Sequence, residues 1–470
     1  MKKEIRIVCP NGHLGFAPTK EESFYLAADT KPDYYCSDSG SDDIGASALG
    51  SDRSVSMYKW QKHDLELMLL KSREQNVPMI IGSAGDTGAN SRVDMYVKMI
   101  KDIAKEHDLP PFKIGYFYSE VDKSYIKEKL KNNVIIEGLD SRSNLTEKDV
   151  EATERVVAVA GVHPYIKLLD MGADVIIGGR SSDIAIFAAA AIKEGFPEEQ
   201  AYYAGKVLEC ASFCAEPYGA KESVIGTVTH NDVKVTAMHP DQRCTIASVS
   251  GHAMYERSNP YYEYFAGGML DMTECVYEQY DEKTTRITGQ KFIPIEGDIK
   301  VKLEGSGLVG EKYIGIAGIR DPYTIKHIDD VIAFAREQVK KEFAGIDYNL
   351  HFHIFGKNGV MGDLEPIKEI KSHELGIVVE GITKNKVTAE ELTLFATRQI
   401  FYAKLPEVKG TAGTASFLVD DVLYAGKTYK WTMNHVIPVE NPLELFRVHL
   451  EDVDNVNQSG SDTYEKSLFT

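Results

Sequence analysis

Cysteine is scarce and dispersed in this chain: Cys9, Cys36, Cys210, Cys214, Cys244 and Cys275 are the six among 470 residues. They form no paired framework of the kind that staples small secreted domains, which fits a reducing compartment and free thiols. Cys210 and Cys214 stand four apart in a stretch of helical period, but no second Cys/His pair at zinc-finger spacing accompanies them, so they read as packing residues. Positive charge is short as well. Lys and Arg number 53 against 71 Asp and Glu, a net charge of −18, which repels a phosphate backbone and argues against nucleic acid as a partner. No uninterrupted apolar run reaches the roughly 18 residues of a membrane-spanning helix, and the start carries Glu4 where a secretory signal would be purely apolar. A cytoplasmic protein without a membrane partner is expected. There is no low-complexity tract and no internal repeat. Walker, Gly-x-Gly-x-x-Gly, Gly-x-Ser-x-Gly, His-Glu-x-x-His, pyridoxal and kinase signatures are all missing, which removes support for the commonest nucleotide, hydrolase and protease readings.

What is present is a composition of 43% hydrophobic and 26% charged residues, enough for two or three packed cores. Short Val/Ile-rich runs at 5–9, 34–37, 79–82, 113–118, 134–137 and 175–178 alternate with helical periodicity at 55–74, 91–107, 123–131, 147–170 and 182–194. This alternation predicts a doubly wound, mostly parallel α/β sheet over 1–195. Past it, 198–212 reads as a helix and 225–249 as strands broken by His239-Pro240-Asp241, a mixed region over 196–311 that would complete the crevice. The order strand, helix, strand, strand, helix, strand over 312–450 predicts a ferredoxin-like α+β domain, followed by a polar tail at 451–470.

In an open parallel sheet the carboxyl ends of the strands form the ligand crevice, and here the strand exits are glycine-rich and polar. Gly12, Gly82, Gly85, Asp86, Asn90, Gly179 and Ser181 are therefore expected to line a substrate site, with the amides of 82–90 free to meet an anion at a helix start. Arg180 leaves the end of a buried strand and is expected to clamp a substrate carboxylate, with Asp183 either capping the next helix or moving protons. Histidines titrate near neutrality, and His239, Asp241 and Arg243 share one turn, which makes them candidates for catalysis and anion binding. His163 and Asn434-His435 are discounted. His351 and His353 share one strand face without a third ligand. Asp38 and Asp43 follow a strand and are the candidate ligands of a divalent ion, although their spacing matches no calcium loop.

Taken together, these motifs resemble the acyclic terpene utilisation family, AtuA. The resemblance rests on Gly12-His13-Leu14-Gly15-Phe16, on Ile80-Ile81-Gly82-Ser83-Ala84-Gly85-Asp86-Thr87-Gly88-Ala89-Asn90, on Ala173 to Asp183, and on Ala204 to Cys210, and it covers residues from about 5 to about 340. Members usually follow the first glycine loop with Asp-Arg, whereas this chain reads Phe16-Ala17-Pro18-Thr19-Lys20, so no charged pair carries over to that loop. The later Gly410 to Ala415 segment and Asn434-His435 are similar to the carboxy-terminal part of a bacterial, largely anaerobe-associated branch. The resemblance implies catabolism of organic acids or their CoA thioesters. The expected activity is a lyase or hydratase acting on a small carboxylate or acyl-CoA ester. The rivals are a metabolite-binding subunit without chemistry of its own, and an isomerase or mutase of hydroxy or amino acids. Self-association is expected from base rates alone.

Overall fold

The structure, a computed structural model, describes residues 2–408 and 414–454. The expected Gly410 to Gly413 segment and most of the expected tail lie outside the described residues. The chain is mixed α/β, with parallel and antiparallel strands, and divides into two compact units, residues 1–306 with 431–470, and residues 307–430.

The first unit opens with β1 (Glu4–Cys9), α1 (Glu21–Asp29), β2 (Tyr34–Gly40), α2 (Ala46–Ser51), α3 (Tyr58–Gln75), β3 (Met79–Asp86), α4 (Asn90–Glu106) and β4 (Phe112–Tyr118). It continues through α5 (Lys123–Lys131), β5 (Glu137–Gly138), α6 (Glu147–Glu151), β6 (Arg155–Ala158), α7 (His163–Asp170), β7 (Val175–Ile177), α8 (Asp183–Lys193) and α9 (Glu198–Leu208). Then come β8 (Val224–Thr229), β9 (Val233–Ala237), α10 (Ile246–Ala253) and the short strands β10 (Tyr262–Phe265), β11 (Gly268–Asp271), β12 (Val276–Gln279), β13 (Thr284–Thr288) and β14 (Lys291–Pro294). Strands β15 (Lys300–Ile319) and β19 (Leu423–Pro438) each contribute a portion to either unit, and β20 (Arg447–Val453) closes the first.

A ten-stranded sheet in the order β12-β13-β9-β8-β1-β2-β3-β7-β4-β20 organises this unit, parallel from β1 to β4 and antiparallel at both flanks. Alternation along the central strands sends neighbouring side chains to opposite faces. Val8, Tyr35, Ile81 and Ile177 pack with Phe24, Leu65, Met68, Tyr96 and Ile100 of α1, α3 and α4. Ile7, Cys36, Ile80 and Ile176 pack on the other side with Ile126, Tyr165, Phe187, Tyr203 and Val207 of α5, α7, α8 and α9. Each such side chain contributes roughly 1.5–3 kcal/mol by leaving water. The change of face follows from the path: the chain advances across the sheet from β1 to β4, then returns to β7 and β8, and right-handed crossovers put helices on opposite faces when the direction reverses.

Several expectations are corrected here. The helix expected over 147–170 is broken, because a Thr146/Asp149 capping box starts the short α6, β-branched Val156 and Val157 form β6, and Pro164 restarts a helix at α7. The strand expected at 134–137 is reduced to β5, which pairs with His435 and Val436 rather than joining the parallel sheet. Within the expected strand run 225–249, Thr245 and Ser248 form a second capping box and 246–253 is helical. The expected division near 195 falls inside the first unit, since β8 pairs with β1 along its whole length. Residues 451–453 of the expected tail belong to β20, which pairs with β4.

In the second unit the later part of β15 pairs antiparallel with β17 (Leu375–Thr383), which pairs with β16 (Asn349–Phe355); β18 (Ser416–Phe417) lies on the other side of β15. Helices α11 (Pro322–Lys326), α12 (Ile328–Glu342) and α13 (Lys386–Tyr402) complete the unit, with α12 and α13 sharing a core through Val331, Ala335, Val339, Leu392, Ala396 and Ile400.

Candidate functional site

The strand exits of β1, β2, β3 and β7 do meet at one rim. Leu14 donates its amide to the Asp38 carbonyl at 2.9 Å, and the amides of Ser83 and Ala84 reach the carbonyls of Gly179 and Gly178 at 3.1 and 3.0 Å. The glycines serve this close approach. A Cβ at Gly12 would lie 2.8 Å from the Cys210 backbone, at Gly82 2.1 Å from Ile186, at Gly85 3.0 Å from Arg92, and at Gly179 2.6 Å from the Ser119 hydroxyl. Gly88, with φ +64°, would carry a Cβ only 2.1 Å from the Arg180 amide. The expected anion cradle at the start of α4 is filled by the chain itself: the Asn90 amide donates to Glu120 Oε1 at 2.8 Å, and Glu120 is held by Arg155 at 2.8 Å. A carboxylate sits at the helix N-terminus, as the helix dipole favours, and it is an internal one.

Arg180 is 6% exposed. Its Nε donates to Glu304 Oε2 at 2.8 Å and Nη2 to Oε1 at 3.4 Å, while Nη1 meets the Ser83 hydroxyl at 3.2 Å, the Ser181 carbonyl at 3.1 Å and Asp183 Oδ1 at 3.4 Å. The guanidinium expected to face an open hollow is thus engaged by the protein. Burial alone would raise the Glu304 carboxyl, but Arg180 and Lys302 hold it down at about 2. Glu304 was not among the expected site residues. The signal was present, since Lys300, Lys302 and Glu304 alternate with Val301 and Leu303 and so share one strand face.

Beside Arg180 the structure brings Asp38 and Asp183 together. Asp38 is sealed at 2% exposure, and burial, the neighbouring Asp183 charge and a hydrogen bond to Asp183 push its carboxyl well above the usual range against the pull of Arg180. A hydrogen bond between two carboxyl groups needs a proton on one of them, and burial favours the neutral form at Asp38. Asp183 reaches solvent, with 36% of its side chain exposed, and stands in the first turn of α8. Behind it, burial lifts Glu209 above the usual carboxylate range despite the adjacent Lys206, and Asp183 adds to that shift.

A second acid/base group, missed in the sequence although it stands inside a quoted motif, is His13. Its Nε2 lies 3.3 Å from Asp86 Oδ1. Asp86 also accepts from the Val55 and Ser56 amides at 2.6 and 2.9 Å and from the Ser56 hydroxyl. Burial works to raise the Asp86 carboxyl, but the bonds from His13 and Ser56 keep it below the usual value.

His239, Asp241 and Arg243 are not part of this group. The Asp241 amide bonds the His239 ring within its own turn, Lys283 donates to the His239 carbonyl at 2.9 Å, and Arg243 pairs its backbone with Glu216. Their turn follows β9, five strand positions from β7 across the sheet, or about 24 Å at the usual interstrand spacing. The expected union of His239 and Asp241 with Arg180 is therefore corrected: they share a rim but not a site. Asp43 is exposed while Asp38 is sealed, so the two do not face a common ion. Among the described residues no group of three or more His, Cys, Asp or Glu side chains is placed to hold a metal ion. His351 and His353 share a face of β16, with His353 3.7 Å from Glu380.

Two open recesses adjoin this cluster and share Glu304 and Trp431 among their lining residues. One, of about 10 Å³, is bounded by Ser41, Asp86, Thr87 and Arg180; the other, of about 80 Å³, by Arg142, Lys302, Met433 and Asn434.

The profile of the family described as acyclic terpene utilisation family protein AtuA matches residues 5–425. The chain belongs to this family. The match runs past residue 340, where the motifs quoted above stop, and takes in nearly all of the second unit. No curated protein and no solved structure matches the chain. The AtuA description attaches a catabolic role, and every rim residue described above lies inside the matched range. Among the described residues no helix is long and apolar enough to cross a membrane.

Proposed function

We propose that this AtuA protein is a cytoplasmic catabolic enzyme that adds water to, or removes it from, a small carboxylate or acyl-CoA thioester. The observation that supports this reading is the Asp38–Asp183 pair: a buried carboxyl held well above the usual range, hydrogen-bonded to one that reaches solvent beside Arg180. Dehydration next to a carbonyl needs a base for the carbon-bound proton and an acid that gives the leaving hydroxyl its proton, so that water departs and a double bond forms. Asp183 is the base in this reading. Asp38, too buried to touch substrate, is a positioning residue, and His13, oriented by Asp86, supplies the proton to the hydroxyl. The sheet of the first unit is doubly wound in this account and the second unit ferredoxin-like, with the order β16-β17-β15-β18 that a βαββαβ path generates.

The test is a screen of short hydroxy acids and of enoyl- and hydroxyacyl-CoA thioesters for gain or loss of water by the purified protein, with and without divalent ions. Turnover that disappears in Asp183→Asn, with the circular dichroism spectrum retained, supports the reading; turnover undiminished in that variant overturns it. One observation favours a second reading, a metabolite-binding subunit: Arg180 already spends its donors on Glu304, Asp183, Ser83 and Ser181. A melting-temperature shift with these ligands and no turnover at all is its signature.

A further inference from the structure

We infer that the anion-holding residue of this protein is Arg142 rather than Arg180, and that the recess bounded by Arg142, Lys302, Trp431 and Asn434 binds the oxyanion end of a small molecule whose flat or apolar part lies on Trp431. The inference rests on the substrate class read above. Arg180, Arg155, Arg92 and Arg73 of the same unit are all paired with carboxylates. The Arg142 side chain is exposed and, among the described residues, makes one hydrogen bond, to the Trp431 carbonyl at 3.4 Å, and no ion pair. A guanidinium without a carboxylate partner can hold an oxyanion with two parallel hydrogen bonds.

The loop that carries Arg142 is built rather than loose. Its Arg142 amide bonds the Leu139 carbonyl at 3.1 Å, the Leu139 amide bonds the Asn434 carbonyl at 2.9 Å, and the Asn434 side chain donates to Asp140 at 2.7 Å. A Cβ at Gly138 would lie 2.3 Å from the Arg142 carbonyl, so glycine is needed where the loop leaves β5. The same Asn434 lines the recess and, among the described residues, leaves its buried Oδ1 without a partner. Lys302, bonded to Glu304 at 2.9 Å, adds a second cation to the wall. Arg142 and Lys302 stand with Glu304 in the lining, and the recess, of about 80 Å³, is room for the oxyanion end of a ligand rather than for a whole one. A free acid and the phosphate end of a CoA ester offer the same oxyanion chemistry.

The sequence contains two tryptophans, Trp60 and Trp431, so Trp60→Phe leaves Trp431 as the sole indole reporter. In that background the full-length protein is titrated with butyrate, butyryl-CoA and inorganic phosphate at constant ionic strength. A saturable change in Trp431 emission with at least one of them, weakened about tenfold or more in Arg142→Gln and less in Arg142→Lys, supports the inference. Response to butyrate alone assigns the site to a free acid; response to butyryl-CoA and phosphate assigns it to the phosphate end. No response to any of the three, or a response unchanged by Arg142→Gln, overturns it. Failure of the enzyme reading is distinguishable: Arg142-dependent binding with no turnover anywhere in the screen sinks that reading alone, whereas turnover without such binding sinks this inference alone.

Discussion

The Arg180–Glu304 pair offers a quantitative test of the site's electrostatics. Glu304 is held down at about 2 instead of 4.5 and is almost fully buried, a difference that corresponds to about 3 kcal/mol. Because the folded value is the lower one, this stability is fully present above pH 4.5 and is lost as pH falls through the folded value near 2; about 1 kcal/mol of it remains at pH 3. Glu304→Gln keeps the shape and one acceptor but removes the charge opposite a guanidinium that is 6% exposed. Denaturant unfolding followed by circular dichroism is expected to show the variant about 3 kcal/mol less stable at pH 7, with the gap to the native protein closing to about 1 kcal/mol at pH 3. The double variant Arg180→Met with Glu304→Leu should cost less than Glu304→Gln alone, since a buried guanidinium that has lost its nearest carboxylate is worse than none. A gap of similar size at both pH values, or a double variant as costly as the two single changes summed, would refute the reasoning.

Three further outcomes are expected. Infrared difference spectra at neutral pH should show a protonated carboxyl band that Asp38→Asn removes and Asp183→Asn shifts; its absence from the native protein would disprove the shared proton. Asp86→Asn, which loses charge-assisted bonds to Val55, Ser56 and His13, should destabilise by about 1–3 kcal/mol. That contribution is present above the usual carboxylate value of 3.8 and vanishes as pH drops through the lower folded one, so unfolding midpoints of variant and native protein should converge in acid. Gly88→Ala combines a left-handed backbone, which costs about 1–2 kcal/mol for other residues, with a contact of 2.1 Å to the Arg180 amide; a variant that unfolds at the native midpoint would contradict the described turn.

Local pattern made much of the first unit legible. Strands β1, β3 and β7 show as short Val/Ile runs because they are largely buried on both faces, α3, α4 and α5 show through their amphipathic spacing, and α8 shows as an apolar run that is buried all round. Where two signals of similar strength competed, local reading failed. Apolar residues over 147–170 suit a helix, yet Thr146 and Pro164 cut it into two around β6. The His239 turn has the composition of a catalytic group, and only strand order reveals that five strand positions separate it from β7.

By itself the sequence determined the glycine-rich exits and carried the motifs of the AtuA family, since backbone permissiveness and strand periodicity are properties of neighbouring residues. Tertiary structure alone decided what each charged group faces. Glu304 reaches Arg180 from 124 positions away, Asp183 meets Asp38 across the sheet, and Asp86 turns to His13 from 73 positions away. Coulomb attraction and desolvation act through space, and their partners are set by which strands lie side by side, so an arginine that a local motif presents as a substrate clamp becomes, in the folded chain, a buried counter-ion.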